Sequence, residues 1–379
     1  MAKIPMVDLK GQYQKIKEEV DEAIQEVNDT GAFIKGPAVK RFQNNLEKYM
    51  GVKHVIPCGN GTDALQISMM ALGLKPGDEV ITPSFTFIAT AEVIALLGLK
   101  PVFADVYPDT FTIDIEDAER KITEKTKAIV PVHLFGQAAD MNKLMPLAKK
   151  HGLYIIEDTC QAIGAEYHFA AGQSQKLGTI GDLGGMSFFP SKNLGCFGDG
   201  GAIFTNDDNL AKACRSIANH GMTKRYYHDD IGVNSRLDSL QAAVLDVKLK
   251  YLDDYIVSRQ TAANYYDNKF MNIEGLKIPE RHERSTHVFH QYTLITENIY
   301  RDELRSLLDE DDISSAVYYP VPIHLQDAYQ HLGYEKGDLP VTEQLSKTVI
   351  SLPIHTEMDR AMLQYITESV IKNFENLRE

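Results

Sequence analysis

The sequence has few cysteines, no long apolar stretch and no excess of basic residues. Its four cysteines are far apart and form no CxxC pair, which favours buried, reduced thiols over a metal or redox motif. No apolar stretch approaches the roughly 20 residues that a membrane span requires, and the first residues lack a signal-peptide core. The 12 histidines show no HExxH or comparable spacing. We therefore expect a cytoplasmic protein with no metal site and no membrane attachment.

The charge balance narrows the possible partners. Lysine and arginine number 39 against 53 aspartates and glutamates, which gives a formal net charge of −14. An acidic chain without a long basic run is a poor candidate for holding nucleic acid through bulk charge. A phosphate or carboxylate ligand must therefore be bound at a local site. The 379 residues, with 44% hydrophobic and 24% charged side chains, are typical of a globular protein and favour two domains.

Between about residues 37 and 220, short β-branched runs alternate with segments of helical periodicity. Strands are predicted near residues 54–57, 79–82, 101–105, 128–132 and 154–158. This repeated strand–helix order predicts an α/β fold with a mainly parallel central sheet and helices on both faces. Ligands of such sheets bind at the carboxyl ends of the strands, which directs attention to the residues that follow each strand.

The pattern changes after about residue 235. A long helical stretch at 237–266 is followed by shorter strands at 290–295 and 315–319 and by more helices. We interpret this part as a smaller α+β C-terminal domain. The predicted division is a large domain at 1–245, which includes an N-terminal helical segment, and a small domain at 246–379.

The segment 59–64, GNGTDA, lies between a predicted strand and a predicted helix. It fits the dinucleotide fingerprint G-x-G-x-x-A, but the next strand lacks the acidic residue at its end that would bind ribose. A nicotinamide-dependent sugar oxidoreductase is therefore a remote alternative. The segment also suits a smaller phosphate group, bound by free N–H groups at a helix N-terminus with the help of the Thr62 hydroxyl. A plain glycine turn with Thr62 as N-cap is the third interpretation.

Two further residues point to the same chemistry. Asp158 ends an apolar strand, and a carboxylate there must face a cleft because burying it unpaired is expensive; alone it could also be a helix cap or a metal ligand. Lys192 lies in an apolar, glycine-rich segment between two strand-like runs. A desolvated lysine has a lowered pKa and can form a Schiff base with an aldehyde. A phosphate loop, a strand-end aspartate and such a lysine are together what pyridoxal phosphate requires.

The sequence resembles the DegT/DnrJ/EryC1/StrS family of pyridoxal-phosphate nucleotide-sugar aminotransferases, which have the fold-type I (aspartate aminotransferase-like) architecture. The resemblance covers nearly the whole chain, and the order and spacing of its motifs are highly specific. These motifs are residues 8–9 with 12, 36–37, 60–65, 83–87, 131–136, 157–158 with 161–162, 187–192, 198–201, 232–238 and 319–324.

The resemblance implies a role for each matching cofactor residue. Lys192 would form the Schiff base and then move the proton between the substrate carbon and the cofactor. Asp158 would hold the pyridine nitrogen protonated, and Gln161 would bond near the ring hydroxyl. An aromatic ring would stack on the cofactor at Phe87, although Phe87 could instead be core packing. The phosphate would be bound by Gly61, Thr62 and Ser187.

Other matching positions imply a second subunit and a substrate. Asn234 would reach the phosphate of the partner subunit's cofactor, so a homodimer would be the active unit. Arg236, Tyr319 and His324 lie in motifs that the family places near the sugar or nucleotide. Alternatively, Arg236 could pair with an acid at a helix start, and His324 could be an exposed loop residue.

The implied reaction moves an amino group from glutamate, which leaves as 2-oxoglutarate, to a keto-sugar nucleotide. The sequence around Lys192 is most similar to that of the 3-aminotransferases that act on UDP-2-acetamido-3-keto-glucuronate in surface-polysaccharide biosynthesis. A dTDP-3-keto-6-deoxyhexose aminotransferase is the alternative, and a non-catalytic regulator with the same fold is a third class. The segment 168–177 departs from the relatives, and it could alter the rim of the active site.

Overall fold

The computed structural model describes residues 3–170, 172–296 and 300–378. The N-terminal part is helical, with α1 (Leu9–Lys15), α2 (Lys17–Thr30) and α3 (Pro37–Met50). Pro37 occupies the first turn of α3, where its missing N–H costs no hydrogen bond. The buried side chains of α3 recur at helical spacing, at Ala38, Phe42, Leu46 and Met50, so one face of the helix packs on the sheet that follows.

A seven-stranded sheet forms the centre of the larger part. Its strands are β1 (His54–Cys58), β2 (Glu79–Pro83), β3 (Lys100–Ala104), β4 (Thr126–Ile129), β5 (Tyr154–Asp158), β8 (Leu183–Ser187) and β9 (Gly201–Thr205). The order across the sheet is β1-β9-β8-β5-β4-β2-β3. Between β5 and β8 the chain forms a separate hairpin of β6 (Glu166–His168) and β7 (Ser174–Lys176).

The predicted parallel sheet is confirmed. Four neighbouring pairs are parallel, namely β2 with β3, β2 with β4, β4 with β5, and β5 with β8. The strand β9 runs antiparallel to both β8 and β1, so β1 points in the same direction as β8. The carboxyl ends of β1, β8, β5 and β2 therefore meet at one edge of the sheet.

Helices cover both faces of this sheet, as the strand–helix alternation predicts. They are α4 (Gly61–Ala71), α5 (Ala89–Leu96), α6 (Ile115–Arg120), α7 (Met141–His151) and α8 (Asp208–Ile217). Neighbouring strand residues such as Ile155 and Ile156 belong to two different buried clusters. Because successive side chains of a strand point to opposite faces, the two clusters are the cores on either side of the sheet.

After β9 the chain forms a short hairpin and then two long helices. The hairpin consists of β10 (Met222–Lys224) and β11 (Tyr227–His228), and the helices are α9 (Ser239–Leu249) and α10 (Leu252–Phe270). The sequence pattern predicted one helix over 237–266. The structure divides it at Lys250 and Tyr251, whose N–H groups bond three residues back instead of four, so the helix tightens and turns there.

The C-terminal part contains a three-stranded antiparallel sheet of β12 (Leu276–Lys277), β13 (Tyr292–Thr296) and β14 (Val349–Leu352). Its helices are α11 (Arg301–Glu310), α12 (Pro340–Thr348) and α13 (Arg360–Arg378). The predicted strand at 315–319 is wrong, since only Ala316 makes an isolated bridge, to Ser351. Pro320 and Pro322 follow at once, and proline cannot donate to a ladder.

The predicted border at residues 245 and 246 falls inside α9. The separate hydrophobic cluster of the C-terminal part also contains Ile4, from the start of the chain. The division into a large and a small unit therefore stays a prediction. Among the described residues, no helix combines the length and the apolar character that crossing a membrane requires.

Candidate active site

The N-terminus of α4 lies at the carboxyl end of β1. Asn60 caps the helix, because its side chain accepts a hydrogen bond from the N–H of Asp63 at 2.8 Å. In the part of the chain that the structure describes, the N–H groups of Gly61 and Thr62 have no hydrogen-bond acceptor. Free N–H groups at the start of an 11-residue helix are suited to binding a phosphate.

Gly61 brings this helix end against two other strands. A Cβ atom at Gly61 would lie 2.7 Å from Cβ of Ser187 and 2.8 Å from Sγ of Cys160. Only glycine allows this approach, so the position requires glycine for packing rather than for a positive φ. As a result, the Ser187 hydroxyl at the end of β8 lies beside the free N–H groups of α4.

The carboxylate of Asp158 is 6% exposed at the end of β5. It accepts hydrogen bonds from the Thr90 hydroxyl at 2.8 Å and from the N–H of Cys160 at 3.2 Å. Both donors are neutral, and each carboxylate oxygen keeps a lone pair for a further donor. The arrangement therefore suits a carboxylate that pairs with a protonated ring nitrogen. Sequence reasoning missed Thr90, because nothing in its local pattern shows that α5 reaches β5.

Lys192 lies in the turn between β8 and β9, where its N–H donates to the carbonyl of Phe189 at 2.8 Å. Burial lowers the pKa of its amine, while the negative charge of Asp158 opposes this effect. A lowered pKa increases the fraction of neutral amine, which is the nucleophilic form. Lys192 is thus a lysine set up to react with an aldehyde, next to Asp158.

Gln161 is held in place at both ends of its amide. Its Oε1 accepts from the N–H of Phe135 at 2.8 Å, and its Nε2 donates to the hydroxyl of Tyr319 at 3.1 Å. The ring of Tyr319 lies 6.3 Å from that of Phe87. Phe87 is 55% exposed, so it is not core packing and presents an open aromatic face at this edge of the sheet.

Apart from Asn234, the predicted cofactor residues lie at the carboxyl edge of the sheet. Comparison with known proteins shows which family the chain belongs to. The DegT/DnrJ/EryC1/StrS aminotransferase family matches residues 14–371. UDP-2-acetamido-2-deoxy-3-oxo-D-glucuronate aminotransferase of Pseudomonas aeruginosa is 45% identical, over 96% of this chain and 98% of that protein. A pleiotropic regulatory protein of Geobacillus stearothermophilus is 46% identical, over 97% of both chains. The chain belongs to the DegT/DnrJ/EryC1/StrS aminotransferase family.

A solved structure supports the fold and the cofactor of this aminotransferase. The crystal structure of NtdA from Bacillus subtilis, with bound cofactor PMP, has a TM-score of 0.91 at 32% identity and covers 99% of this chain and 86% of that one. The predicted family, fold-type I architecture and enzyme class are therefore confirmed. The cofactor prediction is confirmed at the level of the family, whose members use pyridoxal phosphate. The residues present fit this group, because the free N–H groups of α4, the Asp158 carboxylate and the Lys192 amine match its phosphate, ring nitrogen and aldehyde.

His324, a predicted substrate residue, is 1% exposed in the aminotransferase. Its Nδ1 lies 2.8 Å from the Ser84 hydroxyl and its Nε2 lies 3.4 Å from Oε1 of Glu343. The alternative of an exposed loop residue is therefore wrong. The ring links the chain after β2, which carries Phe87, to the C-terminal part, while a direct sugar contact stays a prediction.

Arg236 and Asn234 flank a serine that sequence reasoning missed. The Ser235 hydroxyl accepts from the N–H of Gly59 at 2.8 Å and donates to Oδ2 of Asp63 at 2.6 Å. It therefore fixes the phosphate-binding segment of its own chain, and its place between two motif residues was the only sequence signal. Asn234 itself is exposed.

Arg236 lines a cleft of about 310 Å³ beside β1. Four cationic side chains and no carboxylate line it among the described residues, the cations being Lys35, Lys40, Arg215 and Arg236. Such a cluster attracts anions even on a protein with net negative charge.

Glu157, next to Asp158 on β5, is fully buried on the opposite face of the strand. It accepts from the N–H groups of Gly178, Ile180 and Gly181 at 2.7–2.8 Å and from Nε2 of His133 at 2.9 Å. These bonds attach β5 to the turn at 178–181, which leads into β8 and on to Lys192. The unusual segment 168–177 lies mostly in the hairpin of β6 and β7, which pairs through Tyr167 with Ser285.

Proposed function

We propose that this aminotransferase moves an amino group from glutamate to the 3-keto group of a UDP-2-acetamido-glucuronate-type sugar, with pyridoxal phosphate as cofactor. The observation that carries the proposal is the convergence of Lys192, Asp158 and the N-terminus of α4 in a chain of this family. The name of the Pseudomonas relative supports the choice of sugar. The cationic cleft at Arg236 supports an anionic substrate.

Each residue has a defined task in the proposed mechanism. Pyridoxal phosphate, when bound, supplies an aldehyde that exchanges amines and a ring that withdraws electrons. Asp158 keeps a proton on the ring nitrogen through its charge. The neutral amine of Lys192 would take a proton from the substrate carbon and deliver it to the cofactor carbon that carried the aldehyde. Gln161, fixed by Phe135 and Tyr319, orients the ring edge, while α4 and Ser187 hold the phosphate.

We also propose a homodimer in which Asn234 binds the phosphate of the partner subunit's cofactor. Two observations support this arrangement. The side chain of Asn234 is exposed next to Ser235, which is anchored to the phosphate-binding segment. Large apolar side chains are also exposed on the same chain, including Ile34 and Ile231 at 49% and 88%, and homodimer interfaces are enriched in apolar surface.

The proposed function is tested with a panel of UDP- and dTDP-linked keto-sugars and glutamate, read by mass spectrometry. We expect amination of the UDP-linked 3-keto-uronate and the release of 2-oxoglutarate. Preferred amination of a dTDP-3-keto-6-deoxyhexose would replace the sugar assignment and leave the enzyme class intact. A protein that takes up pyridoxal phosphate but gives no glutamate half-reaction would be a regulator and would contradict the proposal.

The cleft leads to a prediction for Arg236. We expect Arg236→Gln to raise KM for the sugar nucleotide about tenfold, the effect of losing roughly one charge-assisted hydrogen bond, and to leave the glutamate half-reaction within twofold. The matched control is Arg305→Gln, which removes the same charge from the C-terminal part. Steady-state kinetics with each substrate varied in turn give both values. Equal KM values for Arg236→Gln and wild type would exclude Arg236 from substrate binding.

A further inference from the structure

Helix α9 contacts the main chain of the turn that carries Lys192. Two residues of α9, seven positions and so about two turns apart, make the contacts. The Lys248 ammonium donates to the carbonyl of Gly195 at 2.7 Å, and Oε1 of Gln241 accepts from the N–H of Phe197 at 2.8 Å. One face of α9 thus binds the main chain three and five residues after Lys192.

Lys248 is unusual because it is buried and pairs with no carboxylate among the residues that the structure describes. It is 2% exposed, and burial lowers its pKa to about 8. The neighbouring Cys196 is a neutral thiol, because burial raises its pKa to about 11. The Lys248 ammonium also lies 5.5 Å from the centre of the Phe197 ring. Burying a charge with only a carbonyl and an aromatic face to receive it is unfavourable, so general stability does not account for a lysine here.

The Gly195 carbonyl, which Lys248 binds, belongs to the same closed turn as Lys192. A Cβ atom at Gly195 would lie 2.3 Å from the carbonyl oxygen of Pro190, so the turn closes on itself across Lys192. The N–H of Cys196 also bonds to the carbonyl of Phe188 at 2.8 Å. Within this closed turn, a shift at Gly195 is passed to the residues on both sides of Lys192.

We propose that Lys248 is a positioning residue that sets the location of the Lys192 amine through the Gly195 carbonyl. The inference rests on the proposed role of Lys192 as the reacting lysine. A misplacement of about 1 Å costs on the order of 10²-fold in rate when reacting groups must be aligned. Loss of Lys248 should therefore reduce turnover and change the environment of the Lys192 nitrogen, while the fold is kept.

The test compares Lys248→Met with Lys250→Met. Methionine keeps the length of the lysine side chain and loses its charge and its donors. Lys250 is two positions further along the chain and exposed, where it pairs with Glu19, so its substitution changes the net charge equally without touching the turn. Three quantities are measured: steady-state kinetics, the pH midpoint of the visible absorbance of the Lys192–cofactor linkage, and the unfolding temperature of the cofactor-free protein.

We expect Lys248→Met to lower kcat at least about tenfold with KM within about threefold, as a misaligned reacting group would. We expect it to move the absorbance midpoint by at least half a pH unit, because burial and the charge of Asp158 both act on the Lys192 nitrogen and a displaced nitrogen would feel each of them differently. The histidine His290 also faces Lys192 and stays neutral, since burial and the charges of Lys192 and Arg259 lower its pKa. Lys250→Met should match wild type in all three measurements.

The cofactor-free protein gives a readout that does not depend on activity. The folded protein lowers the pKa of Lys248 from its ordinary value to about 8, so above pH 8 the unfolded chain binds this proton more tightly than the folded one. Stability from this group therefore rises with pH between about 8 and 10. Lys192, whose pKa burial also lowers, and the buried cysteines, whose pKa values burial raises, titrate in this range in all three proteins. The stability of wild type relative to Lys248→Met should therefore rise with pH between about 8 and 10, while its stability relative to Lys250→Met should not change.

The possible outcomes separate this inference from the proposed function. A wild-type protein without the visible band or the half-reaction removes the proposed function itself. If wild type is active and Lys248→Met loses kcat with an unchanged absorbance midpoint and a lower unfolding temperature, Lys248 is structural only and the inference is overturned. Wild-type kinetics in Lys248→Met overturn it as well.

Discussion

Lys192→Ala should reduce turnover by at least about 10⁴-fold, the upper range for removing a positioned proton-transfer group. The variant loses both the nucleophile that binds the aldehyde and the base that moves the proton. Other parts of the site should be preserved, since the hydrogen bond of the turn uses the main-chain N–H of residue 192. Treatment with borohydride should attach the cofactor covalently to wild type and leave the variant unmodified, as measured by the mass of the intact chain.

The matched control is Lys150→Ala, because Lys150 is an exposed lysine that pairs with Glu119. It should retain wild-type turnover, since exposed ion pairs contribute little. Covalent attachment of the cofactor in Lys192→Ala would assign the reaction to another lysine. Lys248, whose pKa burial also lowers, would be the first candidate to examine.

The same variant tests the proposed dimer. When Lys192→Ala is mixed with Asn234→Ala and the subunits are allowed to exchange, a mixed dimer has one fully intact site only if Asn234 acts on the partner's cofactor. Activity should then return to about a quarter of wild type, because half of the dimers are mixed and each has one working site. If Asn234 acts on the cofactor of its own chain, no mixed dimer has an intact site, and activity stays at the average of the two variants measured separately.

Sequence reasoning predicted the features that depend on local pattern. The strands β1, β2 and β5 begin and end close to their predicted positions, since runs such as 155–156 are apolar and end at polar residues. The convergence of Asp158, Lys192 and Gly61 followed from a general rule, because the carboxyl ends of parallel strands share an edge. The predicted strand at 315–319 failed because only Ala316 pairs with another residue, Ser351, and the prolines at 320 and 322 cannot donate to a ladder.

The local sequence pattern could not identify residues that act through long-range contacts. Thr90 reaches Asp158 from a helix 68 positions earlier in the chain, and Ser235 reaches Gly59 across 176 positions. Lys248 looks like an ordinary helical lysine in the sequence until the fold buries it. In each case the side chain is ordinary in its local sequence and gains its role from a partner that only the tertiary structure brings near.

Asp158→Asn is expected to lower turnover and cofactor affinity by about 10²- to 10⁴-fold, which corresponds to the roughly 3–5 kcal/mol lost when one partner of a buried charge pair is removed. The reason lies in the charge of Asp158 rather than in its shape. An asparagine side chain can still accept from Thr90 or from the N–H of Cys160, the two bonds that hold the carboxylate now. It cannot stabilise a proton on the ring nitrogen, so the electron-withdrawing power of the ring falls. Fluorescence titration gives the affinity, and single-turnover reaction with glutamate gives the rate.

Glu157→Gln provides the comparison, because it neutralises a buried carboxylate on the same strand. Glu157 accepts four hydrogen bonds on the face away from the cofactor site, from His133 and from the turn at 178–181. Hydrogen bonds to a charged group contribute about 1.5–3 kcal/mol each, so this variant should unfold at a clearly lower temperature. Its single-turnover rate at a temperature where it is folded should stay within about tenfold of wild type, a smaller loss than a misplaced reacting group causes. If both variants lose rate and stability alike, the two carboxylates act only through the fold, and Asp158 has no separate role at the ring nitrogen.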